Sequence, residues 1–136
     1  MRRESFLTDL IISPLKTVDS SLFFRIVEPF IYKLDRGVIV VPYDFVTDFA
    51  SVPRMFWSVI PPWGQHGKAA VIHDYLYESH DVDRFKADRI FLEAMIVLGV
   101  SYAKRTIMYR AVRMFGAGAY KKAPAKRSIR RDKLLR

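Results

Sequence analysis

The apolar residues of this chain follow two different spacings, and the first of them is typical of strands. Between residues 5 and 42 the chain contains short runs of β-branched and aromatic residues. Asp35-Arg36-Gly37 separates the last two runs, which predicts a hairpin with a short turn. The runs predict strands near residues 6–7, 11–12, 22–27, 30–34 and 38–42.

The second spacing begins at residue 67 and is helical, because apolar residues recur there every three or four positions. Gly116 and Gly118 follow the last helical pattern and predict its end. Strands followed by helices in one small chain favour an α+β fold, with N-terminal antiparallel strands and a three-helix C-terminal half. The helices are predicted near 67–79, 83–100 and 102–116, after an irregular segment at 43–66 that is rich in Pro and Gly.

Two ionisable residues interrupt the apolar stripes of the first two helices. His73 falls among Ala and Leu positions of the first stripe, and Asp88 falls at the centre of the second. Burying a charge without a partner costs several kcal/mol, so each residue needs a partner. The helix geometry brings the two side chains within reach of each other, and we predict a direct contact. The contact either fixes the helix pair or forms a dyad, in which Asp88 orients His73 as a general base.

The neighbouring carboxylates suggest a site for a divalent cation such as calcium. Asp74 lies at the edge of the apolar stripe beside His73, and Asp48 lies in the irregular segment with Ser51. Asp48 and Ser51 either close a turn and cap a short helix, or face the same cavity as His73. A zinc site built from three histidines spaced seven apart is a weaker alternative, since that spacing is too long for two ligands of one ion.

Charge is distributed unevenly along the chain. The net charge is +9, yet the first 120 residues carry fifteen basic and thirteen acidic side chains. We therefore predict a single α+β domain at 1–120 and a basic tail at 121–136, which is disordered or docked on a partner. The candidate partner-binding residues are Lys121, Lys122, Lys126, Arg127, Arg130, Arg131, Lys133 and Arg136.

Several classes of protein are disfavoured by what the sequence lacks. There is no cysteine, which excludes a disulfide framework, a thiolate metal site and a cysteine nucleophile. No stretch approaches the roughly 18 uninterrupted apolar residues of a membrane-spanning helix. The two arginines near the N-terminus precede no apolar run of signal-peptide length. We expect a chain without a transmembrane segment or a secretory signal.

Three longer motifs resemble an uncharacterised family of tailed bacteriophages and prophages. They are Thr47-Asp-Phe-Ala-Ser-Val-Pro-Arg54, His73-Asp-Tyr-Leu-Tyr77 and Arg84-Phe-Lys-Ala-Asp88, and Met108–Arg113 also fits. The resemblance covers about residues 35–116. It implies a phage origin but brings no established activity.

His73-Asp74-Tyr-Leu-Tyr77 followed by a helix carrying Asp88 also resembles secretory phospholipases. In that superfamily the histidine activates water, the adjacent aspartate binds calcium and the distant aspartate orients the histidine. The resemblance would place these roles on His73, Asp74 and Asp88, with Tyr77 as a supporting hydroxyl. The disulfides of that superfamily have no counterpart here. Its glycine-rich calcium loop is also missing, unless Gly64-Gln-His-Gly67 substitutes for it.

Three hypotheses about function follow. In the first, the chain is a virion or assembly accessory protein located in the virion or the host cytoplasm, with other phage structural proteins as partners. In the second, it is a metal-assisted hydrolase that uses His73, Asp88 and Tyr77 for catalysis and Asp74 and Asp48 for the metal. In the third, it is an accessory protein that binds nucleic acid non-specifically through the basic tail.

Overall fold

The structure is a computed structural model that describes residues 4–15, 18, 23–47 and 66–133, with side chains up to residue 125. Within these residues short strands precede three helices, so the predicted α+β fold is confirmed. The elements are β1 (Ser5–Phe6), β2 (Ile12–Leu15), β3 (Phe23–Ile26), β4 (Phe30–Lys33), β5 (Val38–Val41), β6 (Val46–Thr47), α1 (Gly67–Ser79), α2 (Arg84–Val97) and α3 (Tyr102–Lys133).

The described strands form two antiparallel three-stranded sheets, in the orders β1-β4-β5 and β2-β3-β6. The predicted hairpin is confirmed: β4 pairs with β5 from Phe30 opposite Val41 to Lys33 opposite Val38. Gly37 lies in the turn at a φ of 92°, a conformation that glycine adopts without strain. The segment predicted to be irregular contributes one further strand, since β6 pairs with β3.

The core lies between the sheets and the helices. The strands contribute alternate side chains, because successive residues of a strand face opposite sides. In β5, Ile39 and Val41 are buried while Val38 and Val40 are exposed. The largest fully buried apolar side chains come from both halves of the chain: Ile26, Phe30, Tyr32, Val41, Val71, Ile72, Leu76, Phe91 and Met95.

The first two helices begin and end close to the predicted positions. Helix α1 has the predicted bounds, whereas α2 ends at Val97 rather than near residue 100. Asp83 caps α2, with its side chain accepting a hydrogen bond from the Lys86 N–H at 2.7 Å. Gly99 follows α2 at a φ of 76°, which terminates a helix in the usual way.

The third helix is much longer than predicted, and its predicted end at Gly116 is wrong. Helix α3 continues through Gly116 and Gly118, and it contains Pro124. Gly116 is required for packing rather than for a turn, since a Cβ there would lie 2.6 Å from the Tyr77 hydroxyl oxygen. The predicted boundary at residue 120 falls inside this helix. The backbone from 121 to 133 is therefore helical, and the division into a domain and a tail that is disordered or docked on a partner stays a prediction.

Helix α3 accommodates Pro124 because a side chain from outside the helix supplies the hydrogen-bond donor that proline lacks. Proline has no N–H, so in a helix the carbonyl four residues earlier loses its donor. That carbonyl belongs to Tyr120, and His80 Nε2 lies 2.7 Å from its oxygen. The loop after α1 thus supplies the donor that α3 lacks. No helix among the described residues is long and apolar enough to cross a lipid bilayer.

Candidate functional site

The predicted contact between the two ionisable residues is confirmed. His73 Nε2 lies 2.6 Å from Asp88 Oδ1, joining α1 to α2. Both side chains lie in the core, with His73 2% exposed and Asp88 fully buried. Because an ionised carboxylate only accepts hydrogen bonds, the hydrogen between these atoms belongs to Nε2. The contact therefore fixes the orientation of the imidazole.

The Asp88 carboxylate receives two further hydrogen bonds. The Tyr77 hydroxyl donates to Oδ1 at 2.6 Å, and Arg113 Nη1 donates to Oδ2 at 2.7 Å. Arg84 Nη1 lies 3.7 Å from Oδ2 and donates to the carbonyl oxygens of Val112 and Arg113. We call His73, Tyr77, Asp88 and Arg113 the Asp88 network. It joins all three helices through one buried charge.

Arg113 is the member of this network that the sequence did not indicate. By spacing alone, Arg113 shares a polar face of the last helix with Arg105 and Arg110, where charged side chains are usually solvated. In the structure Arg113 is partly buried, and its guanidinium lies over the ring of Phe85 at 5.2 Å from the centroid. The one signal in the sequence was indirect: if the Asp88 carboxylate is buried, it requires a cationic side chain as a partner.

The hydrogen bonds set the electrostatics of the network. Burial alone raises the pKa of Asp88, but the hydrogen bonds from His73, Tyr77 and Arg113 outweigh burial and hold that pKa below its ordinary value. Burial and the neighbouring Asp88 charge raise the pKa of Tyr77. Asp88 is therefore the stable anion of the network, and Tyr77 is a hydrogen-bond donor to it.

Two aromatic rings pack against the imidazole of His73. The ring centroid of Tyr77 lies 4.1 Å away and that of Phe91 lies 4.7 Å away. Both partners come from the helices that the network joins. The packing and the hydrogen bond together hold the ring in one position.

The two predicted metal ligands have different outcomes. Asp74 is buried and accepts a hydrogen bond from the Thr47 hydroxyl to Oδ2 at 2.6 Å, which connects α1 to β6. Asp48 and Ser51 lie outside the described residues, so their places in the predicted site stay predictions. Among the residues that the structure describes, no three His, Asp or Glu side chains are grouped so that they could hold a metal ion.

The three histidines spaced seven apart lie along α1 at separate positions. His66 precedes the first turn of α1 and is buried, and its Nε2 has no hydrogen-bond partner among the described residues. Burial, followed by the charge of Lys104, lowers the pKa of His66. His73 contacts Asp88, and His80 follows the helix and stacks on Tyr120. Each histidine thus has its own surroundings at a different level of the helix.

The predicted partner-binding residues all belong to the C-terminal part of the chain. Lys121 and Lys122 are exposed on α3. The side chains of Lys126, Arg127, Arg130, Arg131 and Lys133, and the whole of Arg136, lie outside the described part of the structure. Binding of a partner there stays a prediction.

Comparison with known proteins gives the family of this chain. A family model described as a protein of unknown function, DUF1353, matches residues 24–112. The chain belongs to this family. The match covers more than half of the chain and includes His73, Asp74, Tyr77 and Asp88. The predicted membership of an uncharacterised family is confirmed, while its phage origin and its motif signature stay predictions.

One relative of this chain is itself uncharacterised. The uncharacterised protein y4jT of Sinorhizobium fredii is 40% identical over 78 residues, which make up 56% of this chain and 23% of that protein. The match thus spans less than a quarter of the relative's length. No solved structure matches the chain.

Proposed function

We propose that this protein is a bacteriophage virion or assembly accessory protein, in which the Asp88 network has a structural function. The observation that carries the structural part is the complete pairing of Asp88. Both of its oxygens accept hydrogen bonds, from donors on α1 and α3. A buried charge that is paired in this way fixes the relative positions of the elements that supply its partners.

The burial of His73 also supports a structural function. A general base must reach the proton that it removes, directly or through one water. The imidazole is 2% exposed and packs against the rings of Tyr77 and Phe91. The phage part of the proposal rests on the three motifs that resemble a family of tailed phages.

Fractionation of phage particles tests this proposal. Lysates of the phage or induced prophage that encodes the chain are separated on a density gradient, and each fraction is probed for the protein. We expect the protein in particles or in assembly intermediates. Its absence from both would contradict an accessory function in the virion.

A His73→Gln variant tests the structural function of the network in the same particles. The glutamine amide is a hydrogen-bond donor and can replace Nε2 toward Asp88, but it cannot act as a base. We expect the variant to fold and to enter particles as the unchanged protein does. A folded His73→Gln protein that has lost its biological function would favour chemistry at His73 instead.

A second candidate is a hydrolase of esters or amides, and one arrangement favours it. Asp88 contacts Nε2 of His73, Tyr77 donates to the same carboxylate, and Asp74 follows His73 directly. The phospholipase resemblance implies this set. In such a dyad Asp88 would fix the tautomer and the orientation of the His73 imidazole, as a general base requires.

Activity measurements separate the two candidates. The purified protein is assayed on phospholipid, peptide and peptidoglycan substrates with added calcium and with a chelator. The hydrolase predicts turnover that His73→Gln abolishes and that chelation inhibits. No turnover, together with no heat of calcium binding in titration calorimetry, would eliminate the hydrolase and leave the structural proposal in place.

A further inference from the structure

We infer that the outward side of α3 binds an anionic lipid surface, a function beyond the proposed structural one. This side combines large exposed apolar side chains with exposed cations. Ile107 is 43% exposed, Met114 72% and Phe115 56%. We call the following residues the outer face: Ile107, Arg110, Met114, Phe115, Lys121 and Lys122.

Ile107, Arg110, Met114 and Lys121 lie opposite the packed side of the same helix. Phe115 and Lys122 lie at the border of that packed side, seven and fourteen residues after the buried Met108, and both are exposed. Met108, Val112 and Gly116 are buried against the other helices. Ile107, Met114 and Lys121 are seven residues apart and therefore lie on one side of α3, away from that packing. Ile107 and Met114 consequently do not belong to the core, and Phe115 at the border is 56% exposed.

Helix α3 accounts for the positive charge of the whole chain. The sequence from Tyr102 to Lys133 contains eleven Lys or Arg and a single acid, Asp132, whereas the remaining residues carry twelve basic and thirteen acidic side chains. Some of these cations have partners within the protein, since Arg113 binds Asp88 and Arg105 donates to the Val100 carbonyl oxygen. Arg110, Lys121 and Lys122 are exposed. Their charge is complementary to a negative surface.

The combination of side chains favours lipid over other polyanions. Lys and Arg beside Phe and other large apolar residues are typical of helices that lie in the interface of an anionic membrane. The cations contact headgroups while the apolar side chains enter the acyl boundary. A nucleic-acid backbone would contact the cations but has no apolar region for Met114 and Ile107 to enter. Lysine is depleted at protein interfaces, which argues against a protein partner.

Vesicle sedimentation of the full-length protein tests the inference. The vesicles contain phosphatidylcholine alone or mixed with phosphatidylglycerol, at low and at high salt. We expect binding to the anionic vesicles, weakened by salt, and little binding to phosphatidylcholine alone. Removing one cation of the outer face, as in Lys121→Gln, should weaken binding about fivefold.

The apolar contribution distinguishes lipid from other polyanions. The double variant Met114→Ser, Phe115→Ser should weaken binding to anionic vesicles about tenfold, because two exposed side chains no longer enter the bilayer. Tyr43→Ser is the matched control, since Tyr43 is an exposed aromatic residue (59%) between β5 and β6. Circular dichroism checks that all variants remain folded.

Three results would overturn the inference. The first is equal binding to neutral and anionic vesicles, and the second is vesicle binding that the double variant leaves unchanged. The third is a duplex DNA affinity that exceeds the vesicle affinity and depends on Lys121 but not on Met114 and Phe115. That result would assign the outer face to nucleic acid.

Discussion

The imidazole of His80 stacks on the ring of Tyr120 and also donates a hydrogen bond to the backbone carbonyl of that residue. The ring centroids are 3.9 Å apart with an interplanar angle of 7°, and Nε2 lies 2.7 Å from the carbonyl oxygen. The Tyr120 hydroxyl donates to the Val82 carbonyl oxygen at 2.8 Å. The turn between α1 and α2 is thereby attached to α3 at the level of Pro124. This attachment explains how α3 continues past a proline.

The first prediction concerns the coupling of His80 to Pro124. His80→Ala should lower the free energy of unfolding by about 1 kcal/mol, because the Tyr120 carbonyl oxygen loses its donor. In a Pro124→Ala background the same change should cost less, since residue 124 then has an N–H for that carbonyl. Urea denaturation of the two single variants and the double variant measures the coupling. Identical costs in both backgrounds would contradict the exchange of donors.

The second prediction concerns the glycines of α3. Gly116→Ala should destabilise the protein by about 1–3 kcal/mol, because its Cβ would lie 2.6 Å from the Tyr77 hydroxyl oxygen. Gly118→Ala is the matched control. Nothing lies within 4 Å of a Cβ at that position, so the exchange should stabilise the helix by about 0.5–1 kcal/mol.

Removal of the clashing oxygen provides a second control for Gly116. The double variant Gly116→Ala, Tyr77→Phe should be less destabilised than the sum of the single variants, and thermal unfolding measures this difference. Strict additivity would show that the cost at Gly116 has another origin.

The sequence predicted the fold class and the central contact because both depend on periodicity. His73 and Asp88 occupy apolar positions of two adjacent helices, and two ionisable side chains on facing stripes require each other as partners. The hairpin at Asp35-Arg36-Gly37 followed from local turn chemistry. These features are set by short stretches of sequence, so they could be predicted without tertiary information.

The length of α3 and the function of Arg113 could not be predicted in this way. Gly116, Gly118 and Pro124 are local signals for a helix end. Tertiary contacts with Tyr77 and His80 override them, and those contacts are visible only once α1 and α3 are packed. Arg113 has the spacing of an exposed residue, and its contact with Asp88 likewise depends on how α3 lies against α2.

The third prediction concerns the stability that the Asp88 network provides. Asp88→Ala leaves the donors of His73, Tyr77 and Arg113 without their acceptor, and it should destabilise the protein by about 3–5 kcal/mol. Tyr77→Phe removes one donor and should cost about 1 kcal/mol. Both values come from chemical denaturation at neutral pH.

Asp83 offers a control for the loss of an aspartate from the same helix. Asp83→Ala removes the cap of α2 and should cost about 1 kcal/mol. If Asp88→Ala costs no more than Asp83→Ala, the network does not hold the three helices together.

The last prediction is a dependence of stability on pH that arises from Asp88. The hydrogen bonds hold the pKa of Asp88 below its ordinary value of 3.8, so the folded protein binds this proton less readily than the unfolded chain. The stability from this carboxylate is therefore fully present above about pH 4, and it is lost as the pH falls toward the lowered pKa.

The variant Asp88→Asn tests this dependence, because it cannot titrate at this position and so does not lose stability in this way. The difference in unfolding free energy between the unchanged protein and Asp88→Asn should therefore shrink as the pH falls from 5 to below about 4. Urea denaturation across this range measures it, and a difference that stays constant to pH 2 would show that Asp88 titrates alike in the folded and unfolded chains.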